Sequence, residues 1–476
     1  MPAQHTHSDG TCAECCQSVT VSSCPATGDS EHNGLCLRHF NRSELYDQQS
    51  TSNTLGGLPR PTRPSGRDNV PVTTISLRAR QGAAAACLSL LFLALPGAQP
   101  AAAAAPLYPL ADPDRFYAAP ADLGRHHNGE VLRSRAVPAG PFSGARVWQL
   151  LFRSENSAGK PIAAATTLLE PSGGAGSSSG IRPLLSYQPF VNALGLQCAP
   201  SHSLFNGSMP EASALNVLLQ RGWAVAVPDH LGPTSAYGAA KLGGQIVLDG
   251  LRAVRGFAPA GLHASPVGLL GYSGGAMASG FAAALAPTYA PELPIVGVAQ
   301  GGLPVDLGQI AIDMGLKPSP LFGLGFAAAM GLEREYPARM HFTDNLNPAG
   351  KQLRGRIANA CTDEIIKAGS NLDLQKIGRP GVFDADDSTK RVIHENSLAM
   401  FRGVPRAPVY EWHGALDQVS VPLAQRMAGR YCRAGGRVLF DVIPDADHGL
   451  AIPLGLPRAY AYLADRFAGR PAPSNC

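Results

Sequence analysis

The chain has 476 residues, 45% of them hydrophobic and only 16% charged, against roughly 25% charged in an ordinary soluble protein. Its 53 glycines and 41 prolines make up about one residue in five, so turns and loops are frequent. A formal net charge of +4 without any run of Lys or Arg argues against a nucleic-acid partner, and the composition excludes a coiled coil and a polytopic membrane protein.

Residues 1–80 have no sustained apolar periodicity and are rich in Ser, Thr, Gly, Asn, Gln and Pro, so they read as an unstructured leader or a start placed too far upstream. Cys12-x-x-Cys15 lacks the second matching pair that a zinc site needs, and no metal is expected. Residues 81–105 read as a cleaved export signal. Arg78 and Arg80 give positive charge, Cys87 to Leu95 an apolar stretch, and Ala101 to Ala105 a small-residue cleavage site. The apolar stretch is too short to cross a bilayer, so no transmembrane span is expected and the secreted chain would begin near Pro106. Beyond it only Cys198, Cys361, Cys432 and Cys476 remain, an even number suited to an oxidising compartment. Four cysteines allow three pairings.

From about Arg146 short apolar runs alternate with helical stretches. Strands are expected at 147–152, 162–169, 183–187, 223–228, 267–271, 295–300, 409–413 and 438–443, and helices at 212–221, 245–255, 274–285, 422–433 and 459–467. This rhythm predicts an α/β class: a mostly parallel central sheet with helices on both faces, built from 106–304 and 406–476. Residues 305–405 break it with apolar helical runs such as 321–332, and read as an inserted, mainly helical cap over the active site.

Gly271-Tyr272-Ser273-Gly274-Gly275 matches G-x-S-x-G, between a buried-strand pattern and a small-residue helix. Ser273 would stand at the sheet's carboxyl edge, with the helix N-terminus favouring negative charge beside it. A serine hydroxyl needs a histidine base and an orienting acid. Asp417 follows the strand at 409–413 and His448 the strand at 438–443, which supplies both in the order Ser, acid, His. His413 belongs to its strand, and Asp445 and Asp447 stand too close to His448 in sequence to orient its ring. The oxyanion hole should combine the Gly274 N–H with a donor from the loop 188–193, for which Asn192 is the candidate. Tyr272, Leu321, Phe322, Phe326 and Met330 are the candidate substrate-binding residues.

Gly271 to Ala276, followed by Tyr289-Ala290-Pro291-Glu292-Leu293 and Ile295-Val296-Gly297, resembles the secretory lipase family. Cys198-Ala199-Pro200-Ser201, Asp229-His230, Leu248 to Ala253 and Trp412-His413 extend the resemblance from roughly Tyr187 to the C-terminus. It implies an α/β-hydrolase fold with a helical cap, and a serine lipase or carboxylesterase acting on acylglycerols and other lipid esters at a lipid–water interface, with no cofactor. It also implies disulfides Cys198–Cys361 and Cys432–Cys476. Yeast members carry an acidic residue in the oxyanion loop, whereas none lies between Gln188 and Gln197 here. The alternatives are an acyltransferase or peptidase on the same scaffold, or a catalytically silent surface-binding protein.

Overall fold

A computed structural model describes residues 104–173, 180–381 and 386–476. The leader expected at 1–80 and nearly all of the export signal at 81–105 lie outside the described residues. Nine strands form one sheet: β1 (Val131–Val137), β2 (Ala145–Glu155), β3 (Pro161–Pro171), β4 (Leu184–Gln188), β5 (Ala224–Pro228), β6 (Val267–Tyr272), β7 (Ile295–Gly301), β8 (Val409–Gly414) and β9 (Val438–Ile443). Their spatial order is β1-β2-β3-β5-β4-β6-β7-β8-β9. The pairs from β1 to β5 through β2 and β3 are antiparallel, and every pair from β5 through β4 to β9 is parallel.

The parallel strands β4, β5, β6 and β8 are buried at every position. Helices cover both of their faces, so they read as mostly apolar runs, with Ser186, Gln188, Glu411 and His413 as buried polar exceptions. Residues of alternate parity serve the two sides. Leu184, Leu269, Val298, Val409 and Val438 pack with α3 (Ala240–Gly256), α4 (Gly274–Tyr289) and α11 (Val421–Arg433). Leu185, Val225, Leu270, Tyr410 and Trp412 pack with α2 (Ala212–Gln220) and α12 (Ala451–Phe467) on the other side. The short α1 (Pro200–Ser203) follows β4.

Beyond α1, which is additional, α3 begins at Ala240 rather than 245 and α4 runs to Tyr289 rather than 285, and two elements depart further. β1 is an additional edge strand whose Arg133 and Arg135 interrupt any apolar alternation, as suits an exposed edge. α12 begins at Ala451 rather than 459. Pro453 falls in its first turn, where an N–H has no helical partner in any case. Pro457 sits inside the helix, whose Ala459, Tyr460 and Leu463 are buried against the sheet.

Between β7 and β8 run α5 (Leu307–Gly315), α6 (Phe322–Glu335), α7 (Pro348–Ile357), α8 (Thr362–Gly369), α9 (Leu374–Ile377) and α10 (Asp387–Glu395). They have an apolar core of their own, including Phe322, Phe326, Met330, Leu353, Ile357 and Ile365, into which Leu194 of the sheet domain inserts. Two devices tie this layer down. The buried Arg334 donates to the carbonyls of Leu107, Leu194, Thr234, Ser235 and Ala358. The disulfide Cys198–Cys361 spans 163 residues of sequence. Loop-closure entropy makes a cross-link of that reach worth about 5 kcal/mol. A second disulfide joins Cys432 to Cys476.

Candidate active site

β6 ends at Tyr272 and α4 begins at Gly274, so Ser273 alone makes the strand-to-helix turn. Its backbone sits at φ 52° and ψ −120°, a region that L-residues rarely occupy. The Ser273 N–H donates to the Gly301 carbonyl at 2.8 Å, which holds the turn against β7. The flanking glycines are required by space. A Cβ on Gly275 would overlap the Gln188 carbonyl oxygen, and one on Gly271 would press on Ser279 Oγ and the Gly275 backbone.

His448 Nε2 lies 2.9 Å from Ser273 Oγ, and His448 Nδ1 lies 2.7 Å from Asp417 Oδ1. Tyr272 Oη donates to the His448 carbonyl at 2.6 Å and the His448 N–H donates to Gln418, so the histidine loop is pinned at both sides. Asp417 Oδ1 also accepts the Val419 N–H at 2.8 Å. Burial alone would raise the Asp417 carboxyl, yet the neighbouring His413 and His448 hold it far below the ordinary carboxylate range. Asp447 accepts the Leu450 N–H and serves as a loop cap, and Asp445 occupies a turn at φ 56°.

On the other side of Ser273, the loop 188–193 has few N–H groups to spare. The Phe190 N–H donates to Glu211 Oε1 at 3.0 Å and the Val191 N–H to the Pro189 carbonyl. Among the described residues, neither the Asn192 N–H nor the Gly274 N–H donates to a protein acceptor. Both residues line the cavity that holds Ser273. The Asn192 side chain lies directly over Gly274, where a Cβ would strike its Oδ1.

Glu211 was not singled out by the sequence, because a glutamate at the start of a helix is commonplace. Burial pushes its carboxyl up from 4.5 to about 7, against the lowering effect of the Phe190 N–H. Between those two values the folded state keeps a proton that the unfolded chain has released, so folding weakens as pH rises through that window. Glu211→Gln keeps an acceptor for Phe190 and removes the titration. It should gain about 2 kcal/mol over the parent between pH 5 and pH 8. Urea unfolding at the two pH values measures this, and an equal difference at both would contradict it.

The cavity around Ser273 and His448 has a volume of about 560 Å³. Its far wall is largely apolar, formed by Leu307, Ile310, Met314, Leu321, Leu324 and Ala328. Helical geometry sorts the candidate substrate residues. Leu321, Leu324, Gly325 and Ala328 share one stripe of α6 and, with Tyr272, line this cavity. Phe322 and Phe326 turn the other way, onto a separate apolar cavity of about 270 Å³ between α5, α6, α9 and α10. Met330, on that same stripe, is buried in the layer's core and lines neither. Met314 and Gly325 line both cavities and form the wall between them. No group of three or more metal-ligating side chains occurs among the described residues.

The secretory lipase family profile matches residues 208–475. The chain belongs to the secretory lipase family. It is 32% identical over 402 residues to lipase 4 of Candida albicans, covering 76% of this chain and 83% of that one. It is 34% identical over 383 residues to a Mycobacterium tuberculosis protein named a probable inactive lipase, covering 77% and 84%. The crystal structure of Candida antarctica lipase A in its closed state superposes with a TM-score of 0.70 at 28% identity, covering 76% of this chain and 87% of that one. The fold of this secretory lipase relative is thus the α/β-hydrolase fold, and its family is one of lipase and esterase hydrolases. Its two disulfides and its family suit a secreted protein, and no helix among the described residues is long and apolar enough to cross a membrane.

Proposed function

We propose that this chain is an exported serine esterase that cleaves lipid esters through an acyl-enzyme. Ser273 is the nucleophile, His448 the base that takes its proton and returns it to the leaving alcohol, and Asp417 the acid that orients and stabilises the imidazolium. The N–H groups of Gly274 and Asn192 receive the oxyanion. The observation that carries this reading is the continuous line Ser273 Oγ–His448–Asp417, at 2.9 and 2.7 Å, opening onto an apolar cavity. One relative bears a name that calls it inactive, but the complete line in this chain favours catalysis over a silent binding role.

Residues 305–405 act as the cap that shields the acyl chain, and residues 81–105 direct export and are removed. Exposed Leu450 and Leu454 beside His448, with Ile312 on α5 and Leu316 just after it, offer apolar side chains to a lipid surface on elements that wall the cavity. Hydrolysis of p-nitrophenyl esters from acetate to palmitate tests the reading. Turnover that rises beyond acetate is expected, and a folded protein inert on every ester would overturn it.

A further inference from the structure

Glu411 and His413 share one face of β8, both fully buried, and the proposed chemistry uses neither. They continue the line of Ser273, His448 and Asp417 into the core. Asp417 Oδ1 is already taken by Val419 and His448. Its Oδ2 is buried and faces His413 Nδ1 at 3.4 Å, out of hydrogen-bond alignment, and has no hydrogen-bond partner among the described residues. The second ring nitrogen of His413 lies 3.3 Å from Glu411 Oε1, and Glu411 Oε2 accepts from Gln300 Nε2 at 2.9 Å. Phe440 of β9 stacks on the imidazole at 5.6 Å and 14°, which fixes the ring plane.

A neutral imidazole has one N–H and one lone pair. Between two carboxylates, either tautomer would aim its lone pair at a carboxylate oxygen. Only the imidazolium presents an N–H to both, and the nearby charge of Asp417 keeps the shared proton on the ring rather than on Glu411. Burial works against that cation, but the flanking Asp417 and Glu411 carboxylates outweigh it and push His413 up to about 9. The other titratable groups here are Tyr431 and Arg430 of α11, with Tyr272 and Asp447 on the His448 side. Arg430 stacks on Tyr431 and donates to the Leu398 carbonyl.

We propose, building on the serine-esterase reading, that Glu411 and His413 are positioning residues: a buried carboxylate–imidazolium pair that keeps Asp417 ionised, aims it at His448 and shares its charge. Sharing makes Asp417 a weaker partner for the His448 proton. Replacing both together, Glu411→Gln with His413→Gln, removes the two charges and leaves amides of similar reach. The acid limb of kcat/KM for a p-nitrophenyl ester should then move up by about one pH unit, with KM nearly unchanged. An acid limb that stays in place, whether or not activity falls, would make the pair merely structural and overturn the proposal.

A second measurement needs neither that variant nor any turnover. In ¹⁵N-histidine-labelled Ser273→Ala protein, one buried histidine should carry both ring protons at pH 8. Finding every buried histidine singly protonated there would overturn the proposal while leaving the serine-esterase reading intact.

Discussion

Replacing Ser273 by Ala should lower kcat for ester hydrolysis by roughly 10⁴-fold or more, because no other group on the line can form the acyl-enzyme. His448→Ala should do comparable damage, and the double variant should be little worse than either alone, since the two act as a unit. Asp417→Asn should cost somewhat less, roughly 10³–10⁴-fold. It keeps an acceptor near the Val419 N–H but loses the charge that orients His448. Initial rates on p-nitrophenyl butyrate measure all three. Full activity in Asp417→Asn would mean that another acid serves His448, although Asp447, the nearest in sequence, is occupied by the Leu450 N–H.

The second large effect concerns the length of the acyl chain. Leu324 is half-buried at the edge of the helix layer's core and lines the cavity, so an indole there would fill space in front of Ser273. A long chain forced out of that space leaves three or four methylenes in water, at about 0.8 kcal/mol each. Leu324→Trp should therefore lower kcat/KM on a palmitate ester by roughly 100-fold and on acetate by no more than about threefold. Ala329→Trp fills the separate cavity and should spare both esters. Equal losses on long and short esters would indicate damage to the helical layer. Selective loss of palmitate hydrolysis in Ala329→Trp would instead carry the chain past Met314 and Gly325 into the second cavity.

Most of the sheet was legible because parallel strands covered by helices are short, mostly apolar runs, as β4 to β9 are despite Glu411, His413 and Asp441. β1 was not, since an edge strand with two arginines has no such run. The serine turn was legible because its crowding admits only small residues at Gly271 and Gly275, which leaves a fixed spacing in the chain. Asp417 and His448 were legible from their places after consecutive strands. The cavity wall was read less well: apolar character alone does not separate the two stripes of α6, and only the packing of Phe322, Phe326 and Met330 shows which faces inward. Glu211 acts through burial and its contact with the Phe190 N–H, and Glu411 and His413 act through burial beside Asp417, which their closeness in sequence does not by itself reveal.

Mass spectrometry after reaction with a p-nitrophenyl alkylphosphonate tests the central claim most directly. The phosphonate should attach once, to the peptide bearing Ser273, with hydrolysis lost in step with labelling and with no adduct on Ser273→Ala. Labelling of a different serine, or ester hydrolysis that survives complete labelling of Ser273, would contradict it.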